Sequence, residues 1–453
     1  MAVLIARDLL NTEMALSLKK ALTFHPVKPP SYRQPSYYSK TDEDDGVEAF
    51  TLDDDHGKTY VRLPFTWGQK QYGLNNDHRP HRPIKMEMRG SPRDDLQATQ
   101  LNTAIDDLNA TRTAIFNLRT GFGKTALSLF VACKVKLLVC ILIPAPSDLE
   151  DQWIEESGKF TTGKVAAVDV NPKKSLPDDV DIICCYMERT KKIPREVRDA
   201  VGLLIIDESH LFCNRTGITA ILDFTPKFII ACSATFVKTT TQMHHVMESV
   251  VGNKLIKADF DVKFKVTKVM TGIKGDRAKQ EKRQGIDWHR LNKSFLYNDD
   301  RNQMIVQLVL SLSGEGKDLI LTTEVDHVKV LYEMFTNSPD RGNLRIDYLA
   351  AKKSQYDDSD ILIGNVQKCG TGFDEAGRCK TWNGIRINKV FLVGSFKDRD
   401  RLSQAIGRGF RAEYPHIYHF VDNDPTIAAH WREGKKLYDE LGADIDIQKI
   451  VKV

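Results

Sequence analysis

A short glycine-rich segment in the first third of the chain has the residue types needed to hold a phosphate. Thr120-Gly121-Phe122-Gly123-Lys124-Thr125 follows the apolar run Ala114 to Leu118 and precedes the helix-like run Ala126 to Val131. Glycines let backbone N–H groups wrap a phosphate, and a helix N-terminus adds partial positive charge. Lys124 can reach the β and γ phosphates, and the Thr125 hydroxyl can bind Mg²⁺. The segment predicts a P-loop for ATP and Mg²⁺, although the first glycine of the general pattern is a leucine here.

Two adjacent carboxylates form a second chemical group about eighty residues later. The apolar run Leu203 to Ile206 ends in Asp207 and Glu208. Phosphoryl transfer needs a metal ligand and a positioned water more than it needs covalent help. We therefore expect Asp207 to hold Mg²⁺ and Glu208 to orient and deprotonate the attacking water. By itself an apolar run ending in Asp-Glu is commonly structural, and the P-loop is what favours the catalytic interpretation.

The elements that must position these groups are short apolar runs separated by helical stretches. The runs in the first half are Ala114 to Leu118, Leu137 to Ile143, Ile182 to Cys185, Leu203 to Ile206 and Phe228 to Cys232. Those in the second half are Leu319 to Thr322, Ile361 to Ile363, Val390 to Val393 and Ile417 to Val421. Such alternation is typical of parallel sheets covered by helices, so the fold class is α/β with two domains.

The change in residue pattern along the chain gives the domain boundaries. We predict a partly disordered N-terminal extension at 1–90, a first domain at 91–255, a basic linker at 256–300, a second domain at 301–424 and a helical tail at 425–453. Pro, Tyr and Asp runs mark the extension. The Lys- and Arg-rich stretch Lys263 to Lys282 is either a solvated linker or a contact to a phosphate backbone.

Composition limits the class of protein. Apolar residues make up 41% of the 453 residues and charged residues 28%, and no apolar run approaches the roughly 20 residues that span a bilayer. The N-terminus lacks the pattern of a secretory signal, and the eight cysteines form no C-x-x-C pair. We expect a soluble, intracellular protein with reduced thiols and no membrane contact. A net charge of +4 is compatible with a nucleic-acid partner without requiring one.

Five motifs in order resemble those of the superfamily 2 DExH helicases. In the first half these are Thr120 to Thr125, Asp207-Glu208-Ser209-His210 and Ser233-Ala234-Thr235, similar to motifs I, II and III. In the second half, Gly370-Thr371-Gly372-Phe373-Asp374 resembles motif V, and Gln404 to Arg411 resembles the Q-x-x-G-R-x-x-R form of motif VI. The resemblance implies two tandem RecA-like domains that close on one Mg-ATP.

The resemblance also implies roles for individual residues. Arg408 and Arg411 match arginine fingers that reach the γ-phosphate, with Gln404 in the same motif. Gly372 and Asp374 belong to the nucleotide site, and Ser233 and Thr235 couple the two domains. From spacing alone, Arg408 and Arg411 could equally be a solvated pair on one helix face.

Finer features resemble the branch of XPB, UvsW and the poxvirus transcript-release helicases. These features are the Gln-first motif VI, Pro144 and Leu149-x-x-Gln152-Trp153. In that comparison Gln97 reads the adenine, with Gln100 as the alternative. The branch often has Pro-x-Arg-x-Asp after motif III, where this chain has Phe236-Val237-Lys238-Thr239-Thr240, and a lysine does not reproduce a bidentate contact. Contacts to the nucleic acid are expected from small polar or backbone groups, with Pro144, Thr322, Thr323 and Thr371 as the candidates.

These observations predict an ATP-driven helicase or translocase that acts on DNA. The alternatives are an RNA helicase and, from a different class, a polymerase-associated or virion factor whose ATP site is a structural latch. The partners would be nucleic acid and, in the transcript-release case, RNA polymerase or other replication or transcription machinery. If the protein is viral, the expected location is the host cytoplasm or the virion.

Overall fold

The computed structural model describes residues 3–27, 46–55, 57–73, 81–119, 121–144, 149–169, 176–237, 242–258, 262–277, 286–369, 373 and 375–449. The chain divides into two compact units, Met1–Ala258 and Asp259–Val453. Each unit contains a seven-stranded sheet with helices packed against it. Within the described ranges, no helix combines the length and apolar character needed to cross a membrane.

The first unit begins with a small antiparallel sheet that packs onto the main core and with a separate antiparallel strand pair. The strands of this segment are β1 (Val3–Ala6), β2 (Thr23–Phe24), β3 (Val47–Glu48), β4 (Thr51–Asp55) and β5 (Lys58–Leu63), of which β2 and β3 form the separate pair, and its helices are α1 (Thr12–Leu22) and α2 (Phe65–Tyr72). Strands β1, β5 and β4 form a three-stranded sheet. Arg62, which is 4% exposed, donates to the Leu222 carbonyl at 2.9 Å and pairs with Asp53 at 2.6 Å. This buried arginine attaches the small sheet to the rest of the unit.

A parallel sheet forms the centre of the first unit. Its strands are β6 (Thr113–Asn117), β7 (Val139–Ile143), β8 (Val165–Ala167), β9 (Ile182–Tyr186), β10 (Leu203–Ile206), β11 (Phe228–Ser233) and β12 (Leu255–Ile256), in the order β12-β6-β11-β10-β7-β9-β8. The helices are α3 (Asp95–Thr111), α4 (Lys124–Val135), α5 (Leu149–Phe160), α6 (Arg195–Ala200), α7 (Arg215–Leu222) and α8 (His244–Val251). Every residue of β7, β9 and β10 is buried, because helices cover both faces. All seven strands are parallel, so their carboxyl ends meet at one edge of the sheet.

The second unit repeats this architecture. Its strands are β13 (Lys265–Met270), β14 (Lys317–Thr322), β15 (Ile346–Leu349), β16 (Ile361–Asn365), β17 (Ile387–Leu392), β18 (His416–Val421) and β19 (Asp444–Lys449), in the order β15-β16-β14-β17-β18-β13-β19. Its helices are α9 (Trp288–Leu296), α10 (Asp299–Leu312), α11 (Val325–Asn337), α12 (Val366–Cys369), α13 (Glu375–Arg378), α14 (Arg399–Ile406) and α15 (Pro425–Glu440). All pairings in this sheet are parallel.

Three stretches contain more regular structure than their polar composition indicates. The N-terminal extension holds the small sheet, while its acidic run at 42–45 lies outside the described residues. The stretch interpreted as a basic linker contains β13, where Val266 and Val269 are buried between lysines, together with α9 and the start of α10. The C-terminal tail contains α15 and then β19, which pairs with β13 at the edge of the sheet.

Candidate active site

The glycine-rich loop lies between the carboxyl end of β6 and the start of α4. Gly121 and Gly123 have φ values of +81° and +99°, in the left-handed region that glycine tolerates. A Cβ on Gly123 would lie 2.5 Å from the Gln97 side-chain nitrogen. The loop therefore forms a backbone cradle that a side chain at position 123 would fill. Thr120 lies outside the described residues.

Gln97 supports this loop from the first turn of α3. Its side-chain N–H donates to the Phe122 carbonyl at 2.8 Å, and its side-chain oxygen accepts from the Arg93 N–H at 2.8 Å. Gln97 is 4% exposed and the alternative Gln100 is 7% exposed. Both ends of the Gln97 amide are thus bonded within the chain, which holds the loop, and the expected contact of Gln97 with the adenine stays a prediction.

Lys124 and Thr125 occupy the first turn of α4 and are partly exposed. The Lys124 ammonium donates to the Leu118 carbonyl at 3.0 Å and approaches the Arg119 carbonyl at 3.5 Å. Leu118 stands where the general P-loop pattern has a glycine, yet its backbone still accepts from the lysine. The Lys124 ammonium is thus held beside the backbone of the glycine-rich loop, where a phosphate would be bound.

Asp207 and Glu208 follow β10 at the same edge of the sheet. Strand β11 lies between β6 and β10, so the carboxylates lie two strands from the loop. Glu208 has a φ of +46°, an uncommon backbone conformation for a non-glycine residue, as found at functional turns. Asp207 is 8% exposed, and burial together with the negative charge of Glu208 raises its pKa to about 6. The charged form is favoured by two hydrogen bonds, from the Trp153 indole at 2.8 Å and from the Glu208 N–H at 2.9 Å.

Ser233 connects the second and third motifs. The Ser233 hydroxyl is 3.0 Å from the His210 Nδ1 and accepts from the Thr235 N–H at 3.0 Å. The His210 Nδ1 is also 3.5 Å from a Glu208 carboxylate oxygen. Glu208, His210, Ser233 and Thr235 are therefore linked in one polar chain. Lys238 and the following residues to 241 lie outside the described residues.

In the second unit, Arg408 and Arg411 contact the segment around Phe373. Arg408 is 3% exposed and donates to the Phe373 carbonyl at 2.7 Å. The side chain of Arg411 is 18% exposed and lies 3.5 Å from a Glu375 carboxylate oxygen. Gln404 is half-buried on α14. Gly372, Asp374 and Thr371 lie outside the described residues, so the structure gives no position for these parts of the expected nucleotide and nucleic-acid sites.

Two of the expected nucleic-acid contacts are buried instead. Pro144 is buried after β7. Thr322 is fully buried at the end of β14, where its hydroxyl is 2.7 Å from the His327 Nδ1. Their side chains do not face solvent, so any contact of these two residues with nucleic acid would have to come from the backbone, and that contact stays a prediction. Thr323 is partly exposed as a residue, but its hydroxyl oxygen is buried and has no hydrogen-bond partner among the described residues, so its contact to nucleic acid also stays a prediction.

Sequence reasoning missed two contacts that organise the site. Trp153 was recognised only as part of a motif, although its indole contacts Asp207. The Asn117 side chain at the end of β6 accepts from the Phe236 N–H at 3.1 Å, which holds the backbone after Ser233-Ala234-Thr235. A polar residue directly before a P-loop is the signal that could have identified Asn117. The partner of Trp153 lies 54 positions away, and no local pattern indicates it.

Comparisons with known proteins identify the family. Residues 90–238 match the family described as "Type III restriction enzyme, res subunit". Protein 161L of Invertebrate iridescent virus 6, which is named a helicase, is 26% identical over 413 residues, covering 86% of this chain and 90% of that protein. Protein 109L of Invertebrate iridescent virus 3, also named a helicase, is 30% identical over 253 residues, covering 53% of this chain and 76% of that protein. The chain belongs to the superfamily 2 helicases. Like the family it belongs to, this helicase hydrolyses ATP.

Further comparisons agree on the fold of this helicase. Protein L396 of Acanthamoeba polyphaga mimivirus, named an ATP-dependent RNA helicase, is 23% identical over 450 residues, covering 93% of this chain and 80% of that protein. A solved fragment of an HsdR subunit of a type I restriction enzyme from Vibrio vulnificus matches with a TM-score of 0.56 and 15% identity, covering 89% of this chain and 78% of that one. The two seven-stranded units of the helicase are its tandem RecA-like domains.

Proposed function

We propose that this helicase couples ATP hydrolysis to movement along DNA. The observation that carries the proposal is the meeting of the glycine-rich loop with Asp207 and Glu208 at the carboxyl edge of one parallel sheet. A phosphate cradle, a metal ligand and a group that positions water are the parts that ATP hydrolysis needs. Because the chain belongs to the helicases, we infer that the energy of ATP hydrolysis is used to move along a nucleic acid.

Each residue in this arrangement has a proposed role that follows from its position. Lys124 exchanges its bonds to the backbone carbonyls for bonds to the β and γ phosphates. Glu208 orients the attacking water and accepts its proton. Ser233 and Thr235 pass the state of Glu208, through His210, to the segment that follows β11.

The side chains present fit a magnesium ion. Thr125 offers a hydroxyl and Asp207 a carboxylate, and hard oxygen ligands of this kind are those that Mg²⁺ prefers. When bound, Mg²⁺ would neutralise charge on the β and γ phosphates. The indole of Trp153 keeps the Asp207 carboxylate oriented and favours its charged form.

We further propose that Arg411 and Arg408 contribute differently to hydrolysis. Arg411 retains exposed surface and is the better candidate for an arginine finger. The guanidinium of Arg408 is enclosed against the Phe373 carbonyl, so it is suited to fixing the backbone at Phe373. A lysine at position 411 would keep the charge but lose the planar fork of donors.

The choice of DNA is supported by the finer sequence features. Gln404 and the Gln152-Trp153 pair resemble the XPB and UvsW branch, which mostly moves on duplex DNA. RNA is the second candidate, and the relative from mimivirus named an RNA helicase favours it. Transcript release from RNA polymerase on duplex DNA is the specific process that the poxvirus-like features favour.

The first test measures the steady-state ATPase rate with Mg²⁺ alone and then with duplex DNA, branched DNA, single-stranded DNA and RNA. We expect stimulation by duplex or branched DNA. Stimulation by RNA without any by DNA would replace the proposal with an RNA helicase. A basal rate that no polymer changes would contradict a motor and support a structural ATP site.

Two variants serve as controls for this measurement. Lys124→Ala should lose ATP affinity and hydrolysis together. Glu208→Gln should bind ATP but hydrolyse it at least about 100-fold more slowly, because general-base help typically contributes 10²–10⁴ in rate. Glu208→Gln with the rate of the unchanged protein would show that the attacking water is positioned elsewhere.

A further inference from the structure

The start of α8 carries three potential metal ligands on one side of the helix. His244, His245 and Glu248 are spaced so that each histidine lies three or four positions from the glutamate, which places all three together on the helix surface. Their ligand atoms all lie within 4.8 Å of one another. The two imidazole rings have centroids 4.2 Å apart.

The distances fit a metal ion of the size of zinc. A tetrahedral zinc ion with bonds of roughly 2.0–2.2 Å holds its ligand atoms about 3.3–3.6 Å apart. The His245 Nδ1 is 2.7 Å from a Glu248 carboxylate oxygen, so these two atoms need to separate by only about 0.6–0.9 Å to reach that spacing. Half of the His245 side chain and a quarter of the Glu248 side chain are exposed, which permits this adjustment.

The helix itself is firmly held. Val246, Met247, Val250 and Val251 on its other side are each at most 3% exposed and belong to the core of the first unit. His244 is 8% exposed, so one of the three ligands is already fixed by packing. The ligands therefore project from a rigid base, and less conformational freedom is lost when an ion binds.

We propose that His244, His245 and Glu248 bind a divalent transition-metal ion, with zinc as the expected ion. Two imidazoles and one carboxylate are ligands that suit zinc, whereas Mg²⁺ favours oxygen ligands and keeps several waters. The site differs from the ATP site and lies beyond residue 238, where the match to the restriction-enzyme family ends. Three protein ligands leave one position for water or a further group.

The position of the site connects it to the ATPase motifs. His244 lines a cavity of about 220 Å³ together with His210, the last residue of the second motif, and Phe236, which follows the third motif. An ion bound at α8 would tie the His244 ring, at the wall of this cavity, to the partly exposed side chains of His245 and Glu248. The surroundings of the His210–Ser233 contact would then be held more rigidly.

In the experiment, zinc chloride is titrated into the metal-free protein in the presence of excess Mg²⁺, and binding is measured by calorimetry. The titration is repeated with cobalt(II), and binding is measured by absorption spectroscopy. We expect one zinc per chain and the spectrum of a tetrahedral cobalt site. His244→Ala, His245→Ala and Glu248→Gln should each weaken zinc binding at least tenfold. The control variant His289→Ala, which replaces an exposed histidine outside the cluster, should bind zinc as tightly as the unchanged protein.

Other outcomes overturn the proposal. The proposal is wrong if the unchanged protein does not bind one zinc per chain. It is also wrong if His244→Ala, His245→Ala and Glu248→Gln bind zinc as tightly as His289→Ala. His245→Ala and Glu248→Gln alter partly exposed side chains and should fold, which circular dichroism checks. The ATPase test with Lys124→Ala fails or succeeds independently of this site.

Discussion

The charge state of Asp207 depends on a few neighbouring groups that act in opposite directions. Burial and Glu208 raise its pKa to about 6, while the Trp153 indole and the Glu208 N–H stabilise the carboxylate. A metal ligand must be ionised when the ion binds. The indole of Trp153, itself 2% exposed, is thus a positioning group for the proposed magnesium ligand.

Replacing Trp153 with phenylalanine should weaken the activation of the ATPase by Mg²⁺. The change keeps an aromatic ring but removes the N–H donor, and a hydrogen bond to a charged group contributes about 1.5–3 kcal/mol. We expect the Mg²⁺ concentration for half-maximal activity to rise about tenfold. Trp67→Phe, in the N-terminal helix α2, is the matched control. An unchanged Mg²⁺ dependence in Trp153→Phe would show that the indole has only a packing role.

Single residues differ in how far the sequence predicts them. Lys124, Asp207 and Glu208 could be predicted because each follows directly from a local motif. Gln97, Pro144 and Thr322 were assigned by resemblance, and the structure buries all three. The polar groups of Gln97 and Thr322 bond to Phe122 and His327, contacts that no motif indicates. Contacts such as that of Trp153 with Asp207 depend on how α5 packs on the sheet and have no local sequence signal.

At the level of elements, Gln97 of α3 packs so closely against the glycine-rich loop that position 123 tolerates no side chain. Gly123→Ala would have to adopt a φ of +99° and place a methyl group against Gln97. A left-handed conformation costs a non-glycine residue roughly 1–2 kcal/mol, before any clash. We expect ATP affinity to fall at least about tenfold and the melting temperature to decrease.

A second substitution separates the two causes of this loss. Gln97→Ala removes the clash but not the backbone strain, so Gly123→Ala combined with Gln97→Ala should recover part of the affinity. Gly158→Ala, on the exposed face of α5 with no atom within 4 Å of the added methyl, should be neutral or slightly stabilising. Equal ATP affinity in Gly123→Ala and the unchanged protein would show that the loop rearranges freely.

Some strands could be predicted from the sequence and others could not. The nine apolar runs all correspond to observed strands, since strands buried on both faces are apolar along their whole length. Strands β13 and β19 were not predicted, because lysines and aspartates occupy their exposed positions. Their pairing partners lie far away in the chain, and only the tertiary fold reveals them.

At the level of the whole molecule, the second unit contains buried histidines that make its stability depend on pH. Burial lowers the pKa of His327 and of His419 to about 3 each. The Nε2 of His327 is 3.0 Å from the Asn302 side-chain oxygen and its Nδ1 is 2.7 Å from the Thr322 hydroxyl, so the neutral ring is fully bonded. The folded unit therefore holds both rings neutral.

Acid should destabilise the second unit well before the carboxylates titrate. In the unfolded chain both histidines bind a proton below about pH 6.5, and in the folded chain only near pH 3, so stability is lost as pH falls between these values. Each histidine contributes a slope of up to about 1.4 kcal/mol per pH unit. Hydrogen exchange between pH 7 and 5 should show faster opening of this unit.

A substitution isolates the contribution of one ring. In His419→Phe the slope of unfolding free energy against pH should decrease by about one proton relative to the unchanged protein. Identical slopes in His419→Phe and the unchanged protein would mean that His419 is already protonated in the folded unit or that other groups dominate.

The pairing of β13 with β18 and β19 determines when the second sheet can be completed during protein synthesis. Strand β13 is the first strand of the unit to leave the ribosome, yet its two neighbours begin at His416 and Asp444. Until about 150 further residues have emerged, both edges of a strand with a buried Val266 and Val269 stay unpaired. The newly made chain therefore carries an exposed edge through most of the translation of this unit, which is the period in which it is most open to chaperones and to aggregation.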